Sequence, residues 1–126
     1  MLIRFSVENF RSFNEEAVFS MLPGRMQKHP EHIIPNKESG IDVLSLALLY
    51  GANASGKSNL VRAMDFARNF IIRSTRPKQS IPLETFRLDK PRINQPSRFE
   101  FEFVVSKKAY AYGFKTDHRR VHEEWL

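Results

Sequence analysis

Cysteine is absent from this 126-residue chain, which excludes a disulfide framework, a thiolate metal site and a cysteine nucleophile. No apolar run approaches the ~20 residues needed to cross a bilayer. The opening residues Met1 to Val7 lack the basic-then-apolar pattern of a secretory signal. There is neither an internal repeat nor a low-complexity tract. The length suits one domain with a real core and is short for two. An apolar fraction of 41% with 27% charged residues fits a folded, soluble chain and not a disordered one. These absences set the expectation of a cytoplasmic protein with no membrane contact.

What is present is unevenly spread. The net charge is +6, yet residues 1–50 hold five Lys/Arg against six Asp/Glu, and residues 51–126 hold fifteen against eight. The basic excess therefore lies in the second part, where Arg62, Arg68, Arg73, Arg76 and Lys78 follow one another along an expected helix and its exit. Such a cluster serves either as a nucleic-acid-attracting face or as an ordinary solvated one.

Hydrophobic periodicity places the elements. Residues 2–8 alternate, with Ile3, Phe5 and Val7 on one face, which predicts a half-buried strand. Asn9–Asn14 reads as a turn and Glu16–Leu22 as a second strand. Pro23, Gly24, Pro30, Pro35 and Gly40 punctuate an irregular excursion. The nearly continuous apolar run Val43–Tyr50 predicts a strand buried on both faces. Leu60, Ala63, Met64, Ala67 and Ile71 recur at helical spacing and predict an amphipathic helix over roughly Lys57–Arg73, with Pro77 and Pro82 preventing its continuation. Further on, Phe99, Phe101 and Phe103 alternate with charged residues, and Tyr110, Tyr112 and Phe114 share one face. Together they predict a hairpin turning at Ser106–Lys107, although the glycine usual in such turns is missing. A last strand starts at Val121 and runs into Trp125–Leu126.

Between the expected buried strand and the helix lies Gly51-Ala52-Asn53-Ala54-Ser55-Gly56-Lys57-Ser58, a full match to G-x-x-x-x-G-K-[ST]. A chance match in a chain of this length sits at about the 1% level or below. The chemistry explains the spacing. Gly51 and Gly56 permit backbone geometry that lets successive N–H groups, including those of Asn53, Ala54 and Ser55, turn inward around a phosphate. The helix N-terminus adds unpaired N–H groups and a positive dipole end. Lys57 is the cation for the outer phosphates, and Ser58 is the hydroxyl ligand for Mg²⁺. The partner these residues imply is a nucleoside triphosphate, ATP with Mg²⁺ first. Hydrolysis also requires an acid at a strand end to help hold the metal, and no run of four apolar residues leads into one. The acids of Phe99–Val105 alternate with the aromatics and belong on an exposed face. The residues thus support binding more firmly than turnover.

The pairing of Glu8-Asn9-Phe10-Arg11-Ser12-Phe13 with Leu49-Tyr50 and the P-loop through Asn59-Leu60 resembles the start of ABC-type ATPase heads of the chromosome-maintenance (SMC), RecF and overcoming-lysogenisation-defect (OLD) groups. It is most like bacterial AAA-type ATP-binding proteins of the OLD-like kind, several of which act in phage defence. The likeness spans nearly the whole chain, including the hairpin at 98–116 and Glu123-Glu124-Trp125-Leu126. It implies an α+β fold of the P-loop, ABC-head type, with a mostly antiparallel sheet beside the P-loop strand and its helix. Residues 1–126 would be one N-terminal lobe with a β-rich extension at 98–126. It places Arg11 beside the nucleotide phosphates, where the residue alone reads rather as an exposed turn arginine, and Asn53 and Asn59 at the pocket.

In such relatives two heads sandwich two ATP molecules, and the effector acts on DNA or RNA. A signature helix, an acidic Walker B strand, a late histidine and a γ-phosphate-sensing glutamine also belong to that pattern. None can be placed here: His29, His32, His118 and His122 come too early, and neither Gln79 nor Gln95 has a clear claim. The expectation is an incomplete head, either the N-terminal part of a larger one or a truncated copy. Two other classes stand beside it. A P-loop kinase or GTPase would need an arginine-bearing lid or an Asn-Lys-x-Asp, and the latter is absent. A small nucleic-acid-binding module would use the basic helix face with Tyr110 and Tyr112 as stacking platforms.

Overall fold

In a computed structural model that describes residues 1–25, 29–73 and 80–126, the chain is an α+β unit built on an antiparallel sheet. Strands β1 (Leu2–Glu8), β2 (Ala17–Ser20), β5 (Ser97–Val105), β6 (Lys108–Thr116) and β7 (Val121–Trp125) lie in the order β2-β1-β5-β6-β7. The short strands β3 (Ile33–Ile34) and β4 (Val43–Leu44) form a separate pair. Helix α1 spans Lys57–Arg73, the range the periodicity predicts, and a single turn, α2, spans Lys90–Ile93.

Strand alternation decides the faces. Register pairs Phe5 with Phe101, Val7 with Phe99, Phe99 with Phe114 and Phe101 with Tyr112, so one face is almost wholly aromatic. Helix α1 lies on it and buries Leu60, Ala63 and Ala67. Ala63 and Ala67 are fully buried in the core beneath it, while Phe66 and Phe70 reach sideways to Phe99 and Phe114, with centroids 5.2 and 4.8 Å apart. Phe5, Phe99 and Phe114 are among the largest side chains buried there; removing one such ring costs about 3–5 kcal/mol. The other face is a charged ladder, on which Arg98 pairs with Glu16 and Glu100, both at 2.8 Å, and Arg4 with Glu102 at 3.5 Å. Trp125 donates its indole N–H to Glu100 at 2.8 Å and lies under the Arg98 guanidinium. A Cβ at Gly113 would overlap the Trp125 ring, so the glycine lets β7 close over β6.

Two expectations are corrected. The apolar run Val43–Tyr50 is not a buried strand: pairing stops at Leu44, and Leu46, Leu48, Leu49 and Tyr50 are exposed, Tyr50 at 93%. A doubly buried strand needs neighbours on both edges, and among the described residues no strand pairs with 45–50. The helix stripe also rotates at its end. Ile71 is exposed and lines an open apolar groove beside Phe101 and Phe103, and Phe70 takes the inward position.

The hairpin turn falls at Ser106–Lys107, where φ is 47° and 75°. Both central residues adopt the left-handed geometry that a two-residue hairpin demands, without glycine. Tyr112 packs against the core, and Tyr110 stacks on Phe103 with centroids 5.9 Å apart. Arg62, Arg68 and Arg73 are exposed on α1; Arg76, Lys78, Gln79 and Pro77 lie outside the described residues.

Candidate functional site

The P-loop forms an exposed turn that closes directly into α1. Gly51 (φ 153°), Ala54 (φ 65°) and Gly56 (φ 93°) bend it through left-handed geometry. Ala54 pays the steric cost that glycine avoids. Only Ser55 donates its backbone N–H within the turn, to the Ala52 carbonyl at 3.3 Å. Among the described residues, the N–H groups of Asn53, Ala54, Gly56, Lys57 and Ser58 have no protein acceptor. The first turn of α1 contains no acidic residue, so nothing on the helix offsets its positive end. Unpaired amides, a helix dipole and no local carboxylate make a strong anion cradle.

Lys57 completes it. Its Nζ donates to the carbonyls of Gly51 and Ala52, both at 2.7 Å, and to Ser55 Oγ at 3.3 Å. The ammonium is thus held over the mouth of the loop by neutral acceptors, which an anionic oxygen can displace without breaking an ion pair. Ser58 is exposed at the helix start, and its hydroxyl has no protein partner among the described residues. A hydroxyl beside phosphate oxygens is a hard oxygen donor set that suits Mg²⁺.

The turn between β1 and β2 braces the loop. A Cβ on Gly56 would meet Ser12 Oγ at 3.3 Å and the Phe13 ring at 3.8 Å, so glycine admits the turn as well as the backbone angle. Asn59, one residue beyond Ser58, donates to Ser12 Oγ at 2.9 Å and accepts from Arg11 Nη1 at 3.3 Å. The structure thereby brings Arg11 and Asn59 together at the first turn of α1. Asn53 sits exposed on the loop with no side-chain bond among the described residues.

Three residues that sequence reasoning passed over hold this arrangement. Glu84 accepts Arg11 Nη2 at 2.5 Å, and its carbonyl accepts the Arg11 N–H at 2.8 Å. Arg11 itself sits at φ 51°, a backbone position fixed from outside. Asn9, at φ 53° and fully buried, donates Nδ2 to the carbonyls of Arg92 and Gln95 at 2.8 and 2.9 Å, and its Oδ1 accepts the Phe86 N–H at 3.2 Å. Ser97 Oγ donates to the Asn9 carbonyl. One side chain therefore ties the end of β1 to the segment carrying Glu84 and to the start of β5. The third is Arg92, which bonds Glu8 at 2.9 Å. An asparagine at a strand end is a fair signal of positive φ; nothing local marks Glu84.

Glu100 and Glu102 are committed to the charged ladder. His29, His32, His118 and His122 are all exposed, and Gln95 enters only through its backbone. Among the described residues, none of these side chains bonds the P-loop. No helix among the described residues is long and apolar enough to cross a membrane.

None of the curated proteins matches the chain. The family model described as "AAA domain, putative AbiEii toxin, Type IV TA system" matches residues 46–126. That span runs from just before the P-loop through β7, and β1, β2 and Arg11 lie upstream of it. The AAA family binds ATP with Mg²⁺, and the phosphate cradle at Gly51–Ser58 falls inside the matched region. The chain belongs to this family of AAA domains, and its function is that of a nucleotide-binding, ATPase-like P-loop domain.

Proposed function

We propose that this chain is the nucleotide-binding lobe of an ABC-type ATPase head of the SMC, RecF or OLD-like kind, taking ATP·Mg²⁺ at Gly51–Ser58. The observation that carries the reading is the set of unpaired amides of Asn53, Ala54, Gly56, Lys57 and Ser58 beneath an ammonium parked on neutral carbonyls. The open amides of Asn53, Ala54, Gly56, Lys57 and Ser58 take the β-phosphate, and Lys57 leaves Gly51 and Ala52 for the β- and γ-oxygens. Ser58 Oγ is the protein ligand for Mg²⁺, which neutralises phosphate charge when bound. Asn59 carries the hydrogen bond that keeps Arg11 at the cradle's edge, so that its guanidinium takes an oxygen of the same nucleotide.

Residues 1–126 act as one lobe in this reading. The exposed residues Leu46, Leu48, Leu49 and Tyr50 support a lobe that packs on further sheet, because four large apolar side chains so close in sequence are costly to leave in water. Turnover then needs an acid and a signature segment from that additional structure. Two heads meet face to face across the nucleotides, and the attached effector works on DNA or RNA in the cytoplasm. The toxin–antitoxin wording of the matched family is compatible with a role in phage defence.

Calorimetry with ATP·Mg²⁺ alongside a phosphate-release assay tests the reading. Binding lost in Lys57→Ala, with no release, supports a binding lobe. Lysine-dependent release by this chain alone would overturn the claim that the catalytic acid lies elsewhere. A nucleic-acid-binding module is less favoured, because Tyr112 is packed against the core and Tyr110 already stacks on Phe103.

A further inference from the structure

The excursion between β2 and β3 carries His29, Pro30, Glu31 and His32, the last three forming a single 3-10 turn. Proline at the first position of that turn fixes its backbone, and the His32 N–H returns to the His29 carbonyl at 3.1 Å. The His32 carbonyl accepts the Ser45 N–H at 2.8 Å, which ties the turn to the segment entering the P-loop.

Three ligand-type atoms converge on this turn. His29 Nδ1 lies 2.9 Å and His32 Nε2 3.9 Å from the same carboxylate oxygen, Glu31 Oε1. All three atoms fall within 4.8 Å of one another, and all three side chains are open to solvent. A tetrahedral ion with bonds of 2.0–2.2 Å needs its ligand atoms about 3.4 Å apart. The observed separations straddle that value, so small side-chain rotations complete the set.

We propose that His29, Glu31 and His32 bind one divalent transition-metal ion, with zinc as the reference case and the remaining coordination position left to water. Two imidazole nitrogens and one carboxylate favour zinc, nickel or copper. Magnesium, which demands oxygen donors in octahedral geometry, is a poor fit. This ion is therefore distinct from any metal accompanying a nucleotide, and the proposal does not rest on the P-loop reading. Its effect is local: an ion here clips the two ends of the turn and, through the Ser45–His32 bond, firms the β3–β4 pair.

The test titrates the untagged full chain with ZnCl₂ by calorimetry, in parallel with His29→Ala, His32→Ala, His122→Ala and Lys57→Ala. One ion per chain is expected, with affinity falling at least tenfold in either of the first two variants and unchanged in the last two. His122 is the informative control, because it pairs with Asp117 at 2.8 Å on the far side of the sequence. Excess Mg²⁺ should leave the zinc isotherm unaltered. As a readout that needs no variant, Co²⁺ added to the wild-type chain should broaden the ring proton signals of His29 and His32 before those of His118 and His122. Absence of zinc binding by the folded chain would overturn the proposal. So would binding that survives in the His29→Ala/His32→Ala double variant, or broadening that starts at His122.

Discussion

Glu84 grips Arg11 at both ends: its carbonyl accepts the arginine's backbone N–H at 2.8 Å, and its carboxylate accepts the guanidinium at 2.5 Å. The grip spans 73 positions of sequence and sets the guanidinium beside Asn59 on the first turn of α1. A carboxylate on this arginine occupies the same hydrogen-bond donors that a phosphate would take.

If Arg11 contacts the nucleotide, Glu84 competes for it. Glu84→Gln is expected to tighten ATP binding by about fivefold, since a half-exposed pair is worth roughly 1 kcal/mol. The gain should vanish in an Arg11→Ala background. Calorimetric titration of the four proteins forms a double-mutant cycle, and equal effects of Glu84→Gln with and without Arg11 would refute the competition.

Gly56→Ala should damage the cradle without unfolding the sheet. The added methyl meets Ser12 Oγ at 3.3 Å, and φ of 93° is strained for any side chain. A stability loss of about 1–2 kcal/mol should accompany a larger loss of nucleotide affinity. Urea unfolding and ATP titration on one sample separate the two, and full affinity in the variant would rule out this geometry for binding.

Asn9 bears more stability than its position in a turn suggests. Asn9→Ala removes the side-chain bonds to the Arg92, Gln95 and Pro96 carbonyls and the one accepted from the Phe86 N–H, which should cost about 2–4 kcal/mol. Chemical denaturation gives the number directly. A change under 1 kcal/mol would mean that Asn9 does not tie the Glu84 segment to β1.

Tyr112 should titrate late. Burial, reinforced by the hydrogen bond its hydroxyl donates to Glu124, raises its pKa to about 12. Because the folded value lies above the unfolded one, this contribution to stability is complete below pH 10 and is lost as pH rises through about 12. A spectrophotometric phenolate titration should therefore show a step near pH 12 that is missing in Tyr112→Phe. Asp117 shows the opposite sign. Burial alone would raise its pKa, but His122 and the N–H groups of Arg119 and Arg120 outweigh it and hold the carboxyl at about 2. Its contribution is present above about pH 4 and fades as pH falls through 2.

How much of this was written in the sequence follows from how local each signal is. Alternation marks β1 and the β5–β6 hairpin, and the 3.6-residue stripe marks α1, because each element's own residues set its period. The run Val43–Tyr50 misleads for the opposite reason. Its burial depends on sheet neighbours, and Tyr50 stays in water without them. The P-loop was legible in full because its glycines, lysine and serine must be contiguous to surround one phosphate. Arg11 is singled out in the sequence only by family resemblance, and its bond to Asn59 at the first turn of α1 follows from the fold. Glu84 was not legible at all, since its role arises from where the chain returns and not from its neighbours.

In the proposed function, Gly51–Ser58 binds nucleotide phosphates through its open amides and Lys57. Its most direct test is calorimetric titration of the chain with ATP·Mg²⁺, with Lys57→Ala as the paired control and circular dichroism to confirm that both are folded. Saturable one-to-one binding that weakens at least tenfold in the variant is predicted. A folded chain that binds no ATP, or binds it equally well without Lys57, would contradict the account.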